Sequence, residues 1–461
     1  MPAPGTTVRA SWTPASARMT ERSKSTPVGM NTARFNVAKA ECSTTAAMPD
    51  DAVHLYSKAA RTAILSRIMR PAGKFRLLWI LRLEDLLEMS VKTVRKIRSI
   101  EGLRGVLALW VLFSHVLAAA GLGGAGWRGP FRVIESGTYA VEVFIIISGF
   151  VIFYLLDTAQ ESYGRFLWRR FLRLYPVYLL SLLISILLLP TTVQVFLNAP
   201  WPHFISANNV AIAESSINFL PQHLAAHLFM LQSLIPSSVL PFSNYAIVTP
   251  AWSLSLEWQF YVLAPILFAA FAAGPRTVIL AIVIACSAHF LLAGDEGFLP
   301  RHLPMFALGI TSYYLWRLPW RPSSPMLGPI VVALAYLLTH DPGIVIWSAV
   351  FMAAYEPGSF GLGVLRRTLE HPLSLALGRM SYSVYLMHEA VLTLLLLVFE
   401  NANVRVIGHW PFFAVLLLSN VSGTLCVTWA LYRYVEVPCI AFGKREARGR
   451  MAVPPVLKTE N

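Results

Sequence analysis

The sequence predicts an all-α polytopic membrane protein with about ten transmembrane helices. Of its 461 residues, 56% are apolar and only 13% charged, too little polar surface to cover a soluble globule of this size. Apolar stretches able to cross a hydrocarbon core of ~30 Å recur from residue 101 onward. Between them, arginines segregate onto alternate loops, the asymmetry that orients membrane proteins.

Taken in order, residues 1–96 form a basic N-terminal extension. Its first seventy residues are rich in Ser, Thr, Ala, Pro and Arg without apolar periodicity, so disorder is expected there. Counting Lys and Arg against Asp and Glu over residues 1–98 gives 17 against 7, so most of the net charge of +14 precedes the first span. That places a basic segment beside a lipid surface and argues against a nucleic-acid partner. The first apolar run, 75–83, is broken by Arg76 and Arg82, so no secretory signal is read. Met89 opens a short basic leader, MSVKTVRKIRSIEGLRG, so a true start near Met89 is expected.

Residues 97–440 form the membrane domain, and 441–461 a basic tail. The expected spans lie near 101–121, 137–157, 174–194, 251–271, 277–294, 302–316, 326–340, 343–355, 380–399 and 411–432. Segment 218–235, with His223, His227 and Gln232, reads either as an eleventh span or as an interfacial helix. Charge decides between them. If it does not cross and the N-terminus is cytosolic, the inner loops hold ten arginines (165, 169, 170, 173, 276, 317, 321, 366, 367, 379). The outer loops hold four (128, 132, 301, 405). Both termini then lie in the cytosol. Without an internal repeat, an inverted-repeat transporter has no direct support. Cys42, Cys286, Cys426 and Cys439 show no metal or redox spacing and are expected to be inert and buried; no metal is expected.

Ionisable side chains within spans are costly, so each is a functional candidate until an ordinary role is found. Arg104 and His115 stand eleven residues apart, within ~20° of one helix face and roughly 16 Å along its axis. The ordinary readings are a snorkelling anchor and an interhelical hydrogen bond.

The run IRSIEGLRGVLALWVLFSH resembles the opening of the membrane acyltransferase 3 family, with its Arg, ten residues, then His. Further matches follow in the family's order: VEVFIIISGF, RRFLRLYP, TPAWSLSLEWQFYVLAP, RHLPMFALG, LGRMSYSVYLMH and VEVP. The resemblance covers roughly residues 97–440. It implies acyl transfer from acetyl-CoA, or another acyl-CoA as co-substrate with no bound cofactor, to a hydroxyl of a carbohydrate or glycosylated acceptor. A bacterial inner membrane is the implied location. It gives His115 the catalytic role and Arg104 the partner role, and it matches Arg170, Arg173 and Glu257 to family positions. Two departures stand out: Glu142 where Asp is usual, and Trp258 where a second acid is common. No esterase-like domain is read after Glu436.

The chemistry agrees with that implication. A hydroxyl attacking a thioester needs a base, and imidazole is best matched to neutral pH. In the topology above, His115, Glu142 and Glu257 lie toward the outer half, so a carboxylate can orient the imidazole, with Glu257 preferred over Glu142. The competing reading of both acids is a structural bond to a neighbouring helix. Arg104, Arg169, Arg170 and Arg173 can receive a polyanionic donor, although one or two of them express only the positive-inside signal. Ser148, beside Gly149, reads as a packing residue or a substrate contact. Tyr385 and His388 read as site-lining, with His388 the second choice of base. Trp252, Trp258, Phe260 and Tyr261 read as an interface belt or a sugar platform. No serine nucleophile motif is evident, and an acyl-histidine intermediate stays open. A proton-coupled exporter using His115, Glu142 and Glu257 is the competing function.

Overall fold

The computed structural model describes residues 97–449, except 124–128, 160, 199–203, 293, 319–323, 357 and 403–407. These belong to the unit spanning 80–461; the other unit, 1–79, lies outside the described residues. The expectations of a disordered extension and a start near Met89 therefore fall outside them, as do Cys42 and the end of the tail.

The described residues fold into helices, with no strand among them. In lipid every backbone amide must be satisfied within its own segment, which is why apolar sequence of this kind becomes helix. In chain order the helices are α1 (Arg98–Ala119), α2 (Pro130–Glu135), α3 (Thr138–Ala159), α4 (Tyr163–Leu197), α5 (Phe204–Asn218) and α6 (Leu220–Leu228). There follow α7 (Trp252–Ala273), α8 (Pro275–Leu292), α9 (Leu299–Arg317), α10 (Leu327–Thr339) and α11 (Pro342–Tyr355). The chain ends in α12 (Leu362–Leu369), α13 (Pro372–Asn401), α14 (His409–Leu431) and α15 (Val437–Gly449).

Each of the ten expected spans coincides with a helix. Among the described residues seven helical stretches are long and apolar enough to cross a membrane, α10 and α11 are shorter apolar helices, and α9, on the span expected at 302–316, belongs to neither group. The last pair turns tightly: His340 takes a left-handed conformation at the end of α10. Asp341 then caps α11 by accepting the Ile344 N–H at 3.0 Å. Segment 218–235 breaks into α6 and a 3-10 turn, Gln232–Leu234. Nine residues of helix span only ~14 Å, so this segment does not cross.

Small residues set two of the close helix contacts. A Cβ on Gly378 of α13 would lie 1.9 Å from the Glu101 carbonyl oxygen of α1, and one on Gly105 2.6 Å from the Gly378 nitrogen. Between α3 and α9, a Cβ on Gly149 would meet the Phe306 carbonyl at 2.4 Å, and one on Gly309 the Ile146 carbonyl at 2.1 Å. Glycine alone permits such backbone approach. Around these contacts Phe150, Tyr313, Trp347 and Phe351 form an aromatic core. Helix α8 has no buried residue. Its Ile279, Leu280, Val283 and Ile284 are exposed, as suits a face solvated by lipid. Cys286 and Cys426 are likewise exposed. The expectation of buried thiols fails there because in a bilayer an apolar run faces lipid as readily as protein.

Residues 229–251 fold back into the bundle as irregular chain. Ala246, Val248 and Ala251 are buried, and Met230, Phe242 and Ile247 have positive φ. Side chains hold this backbone: Ser255 donates to the Met230 carbonyl at 2.8 Å, Gln232 to the Ala251 carbonyl at 3.1 Å, and the Ile247 N–H to Ser216 at 3.0 Å. Non-helical backbone at this depth requires such partners. Its consequence is that α7 begins inside the protein rather than at its surface.

Candidate active site

The close contact of α1 with α13 aligns their polar residues. His115 Nδ1 meets Glu389 Oε1 at 2.8 Å. Since a carboxylate only accepts, the ring proton belongs on Nδ1 and the Nε2 lone pair is left available. The His388 ring packs edge-on to His115 with centroids 5.0 Å apart. His388 is buried at 1% exposure, and its Nδ1 lies 2.8 Å from the Tyr385 carbonyl, while its Nε2 has no partner. Tyr385 in turn accepts from Ser253 at 2.9 Å and donates to the Pro250 carbonyl at 3.1 Å, tying α13 to the infolded segment.

His115 and Glu389 open into a cavity of about 640 Å³, within the range that holds small-molecule ligands. Residues of α4 (Ser185, Thr192), α5 (Asn209) and the infolded chain (Tyr245, Thr249), with Arg132 and Glu135, give its wall polar contacts among aliphatic ones.

A second cluster lies toward the Arg104 end of α1. Arg104, Arg173, Glu257 and Glu436 are electrostatic neighbours. Glu257 accepts from Ser148 at 3.1 Å and from the Tyr261 hydroxyl. Glu436, held in a π-turn, Tyr432–Glu436, accepts from Ser383 at 2.9 Å. Arg170 sits over the Phe166 and Tyr261 rings at 5.7 and 5.8 Å. Arg169 is paired with Glu161. The buried Nε atoms of Arg104 and Arg170 have no hydrogen-bond partner.

Between the clusters runs one polar stripe. Thr249, Ser253, Glu257 and Tyr261 recur every four residues, so each neighbours the next in a row that winds by ~40° per step around α7 and the turn before it. The stripe covers roughly 18 Å, from the cavity wall at Thr249 to the arginines at Tyr261.

Several expectations change. The carboxylate that meets His115 is Glu389, at 2.8 Å, rather than Glu257 or Glu142. Glu257 lies deeper than counting from the loop implies, because α7 starts below the surface. Glu142 sits beside Gly343 at the start of α11, with its Oε2 buried and unpartnered. Ser148 is a hydrogen-bond donor, and the close packing falls to Gly149. Phe260 stacks on Phe306 with centroids 4.0 Å apart and Tyr261 is buried, so these two belong to the interior rather than to a belt. Glu389 obeys the same rule as the others, a carboxylate within an apolar span, but the motif LGRMSYSVYLMH ends one residue before it. Glu436 stood inside the quoted VEVP motif without a role.

An imidazole with a carboxylate behind it, facing a cavity, can remove a proton from a bound hydroxyl. Cations beside unpartnered donors can hold an anion. No solved structure matches the chain. The acyltransferase MdmB of Streptomyces mycarofaciens is 24% identical over 347 residues, an alignment covering 65% of this chain and 80% of that protein. The family profile described as an acyltransferase domain matches residues 97–433, almost the whole of the described bundle. This helical membrane protein therefore belongs to the acyltransferase 3 family.

Proposed function

We propose that the chain is an O-acyltransferase that moves an acyl group, acetyl being the simplest, from acyl-CoA to a hydroxyl of a carbohydrate or glycosylated acceptor. The observation that carries this reading is the His115–Glu389 pair facing the cavity, joined by the α7 stripe to the arginine cluster. Acyl-CoA phosphates bind Arg104, Arg170 and Arg173 on the cytosolic side, and the extended arm follows the stripe to bring the thioester to His115. The acceptor enters the cavity from the opposite side of a bacterial inner membrane, with both termini in the cytosol. Arg169 contributes charge at the rim.

In the reaction the acceptor oxygen attacks the thioester carbonyl carbon while His115 Nε2 takes the hydroxyl proton. Glu389 stabilises the imidazolium. The C–S bond then breaks, and the departing thiolate recovers the proton from His115. Tyr385, His388 and Ser148 line the route; Glu257 and Glu142 act on the structure of the path and not on the base. In purified protein given acetyl-CoA and a panel of sugar acceptors, thiol release should depend on acceptor and disappear in His115→Gln. Acceptor movement across vesicles without thiol release would favour a proton-coupled exporter instead.

A further inference from the structure

We propose that His115, His388 and Glu389 form a binding site for a divalent transition metal of the zinc class, whose occupancy switches the base off. A ring nitrogen from each histidine and a Glu389 oxygen lie within 4.8 Å of one another. A tetrahedral zinc shell needs its ligand atoms ~3.4 Å apart, so side-chain movements of about 1 Å complete the set.

Three independent features mark this as more than a chance grouping. His388 Nε2 is a buried ring nitrogen without a partner, in a residue 1% exposed. The opposite nitrogen of that ring is bonded to the Tyr385 carbonyl at 2.8 Å. This is the outer hydrogen bond that fixes tautomer and orientation in metal-ligating histidines, and it leaves the Nε2 lone pair free to bind. The cavity beside His115 and Glu389 supplies both a path for the ion and room for water at a fourth position. Two imidazoles and one carboxylate are a donor set suited to zinc-class ions rather than to calcium or magnesium, which prefer oxygen.

The inhibitory consequence rests on the acyl-transfer reading; the binding itself does not. Metal on a ring nitrogen of His115 and on Glu389 replaces the 2.8 Å hydrogen bond between them and withdraws the imidazole from proton transfer.

The test titrates the purified full-length protein, freed of metal by chelation, with Zn²⁺ by calorimetry, and with Co²⁺ by its visible absorption. One ion per chain at this site is expected, with a low-coordinate Co²⁺ spectrum. Affinity should drop by more than ~100-fold in both His388→Gln and Glu389→Gln, each checked for an unchanged elution profile. Absence of binding, or binding that survives both substitutions, overturns the site. Acyl transfer should fall in proportion to Zn²⁺ occupancy and return on chelation. Full transfer by the zinc-loaded protein overturns the inhibitory role. A metal-free protein with no transfer at all would count against the acyltransferase reading while the isotherm still decides the site.

Discussion

Replacing Glu389 with Gln keeps the shape of the side chain and removes its charge, so it isolates what the carboxylate does for His115. The His115–Glu389 contact is 2.8 Å, and a hydrogen bond with one charged partner contributes ~1.5–3 kcal/mol net. At ~1.36 kcal/mol per decade that is about 10- to 150-fold in rate. His115 keeps 36% of its side chain accessible, so water screens part of the effect and the lower half of the range applies. Because the imidazolium charge develops only as the hydroxyl proton moves, the loss should fall on kcat. The KM for acyl-CoA should change by less than about twofold, the arginine cluster lying roughly 18 Å away along the stripe. The assay is initial-rate thiol release by Glu389→Gln, Glu257→Gln and Glu142→Gln, each at saturating acceptor and varied donor. A Glu389→Gln enzyme with unchanged kcat would refute the assignment of this carboxylate. A loss confined to Glu257→Gln would return the role to the residue the sequence favoured.

Three further outcomes follow from the same structure. Gly378→Ala brings a Cβ to 1.9 Å from the Glu101 carbonyl, which forces α1 and α13 apart by at least about 1.5 Å to reach ordinary contact. Overpacking of this kind costs ~1–3 kcal/mol and a 1 Å misplacement about 100-fold in rate. Gly363→Ala, with nothing within 4 Å of the new Cβ, is the control for both thermal midpoint and turnover. Arg173→Gln removes a cation beside Glu257 and Glu436 and should raise the donor KM on the order of tenfold through a lost charge-assisted bond. Donor-concentration curves that superimpose on the wild type would place the phosphates elsewhere. His227, on the non-spanning α6, bonds Tyr178 at 2.7 Å, and burial pushes its pKa down to about 3. Between pH 6.5 and 3 the unfolded chain therefore binds a proton that the folded one does not, and stability falls as pH falls. By pH 5 the loss is about 2 kcal/mol, and thermal unfolding of His227→Gln should be correspondingly less sensitive to acid over that interval.

The fold and its class were legible because they rest on local quantities. Apolar runs and helix lengths depend on neighbouring residues, so a helix could be placed at each expected span, and seven of these helical stretches are long and apolar enough to cross a membrane. The Arg104–His115 stripe was legible for the same reason, a helix period within one element. The site was only half legible. Glu389 is 274 residues beyond His115, and no periodicity connects α13 to α1. Their alignment comes from Gly105 and Gly378, whose missing side chains let two backbones nearly touch. Glu257 looked like the partner because depth was counted along the chain, whereas residues 229–251 fold inward and lower the start of α7 into the interior. Sequence by itself determined which side chains had to be hidden from lipid, since that follows from composition and spacing. Only the tertiary structure decided which of those hidden groups meet, because contact between helices is set by the shapes of surfaces far apart in the chain.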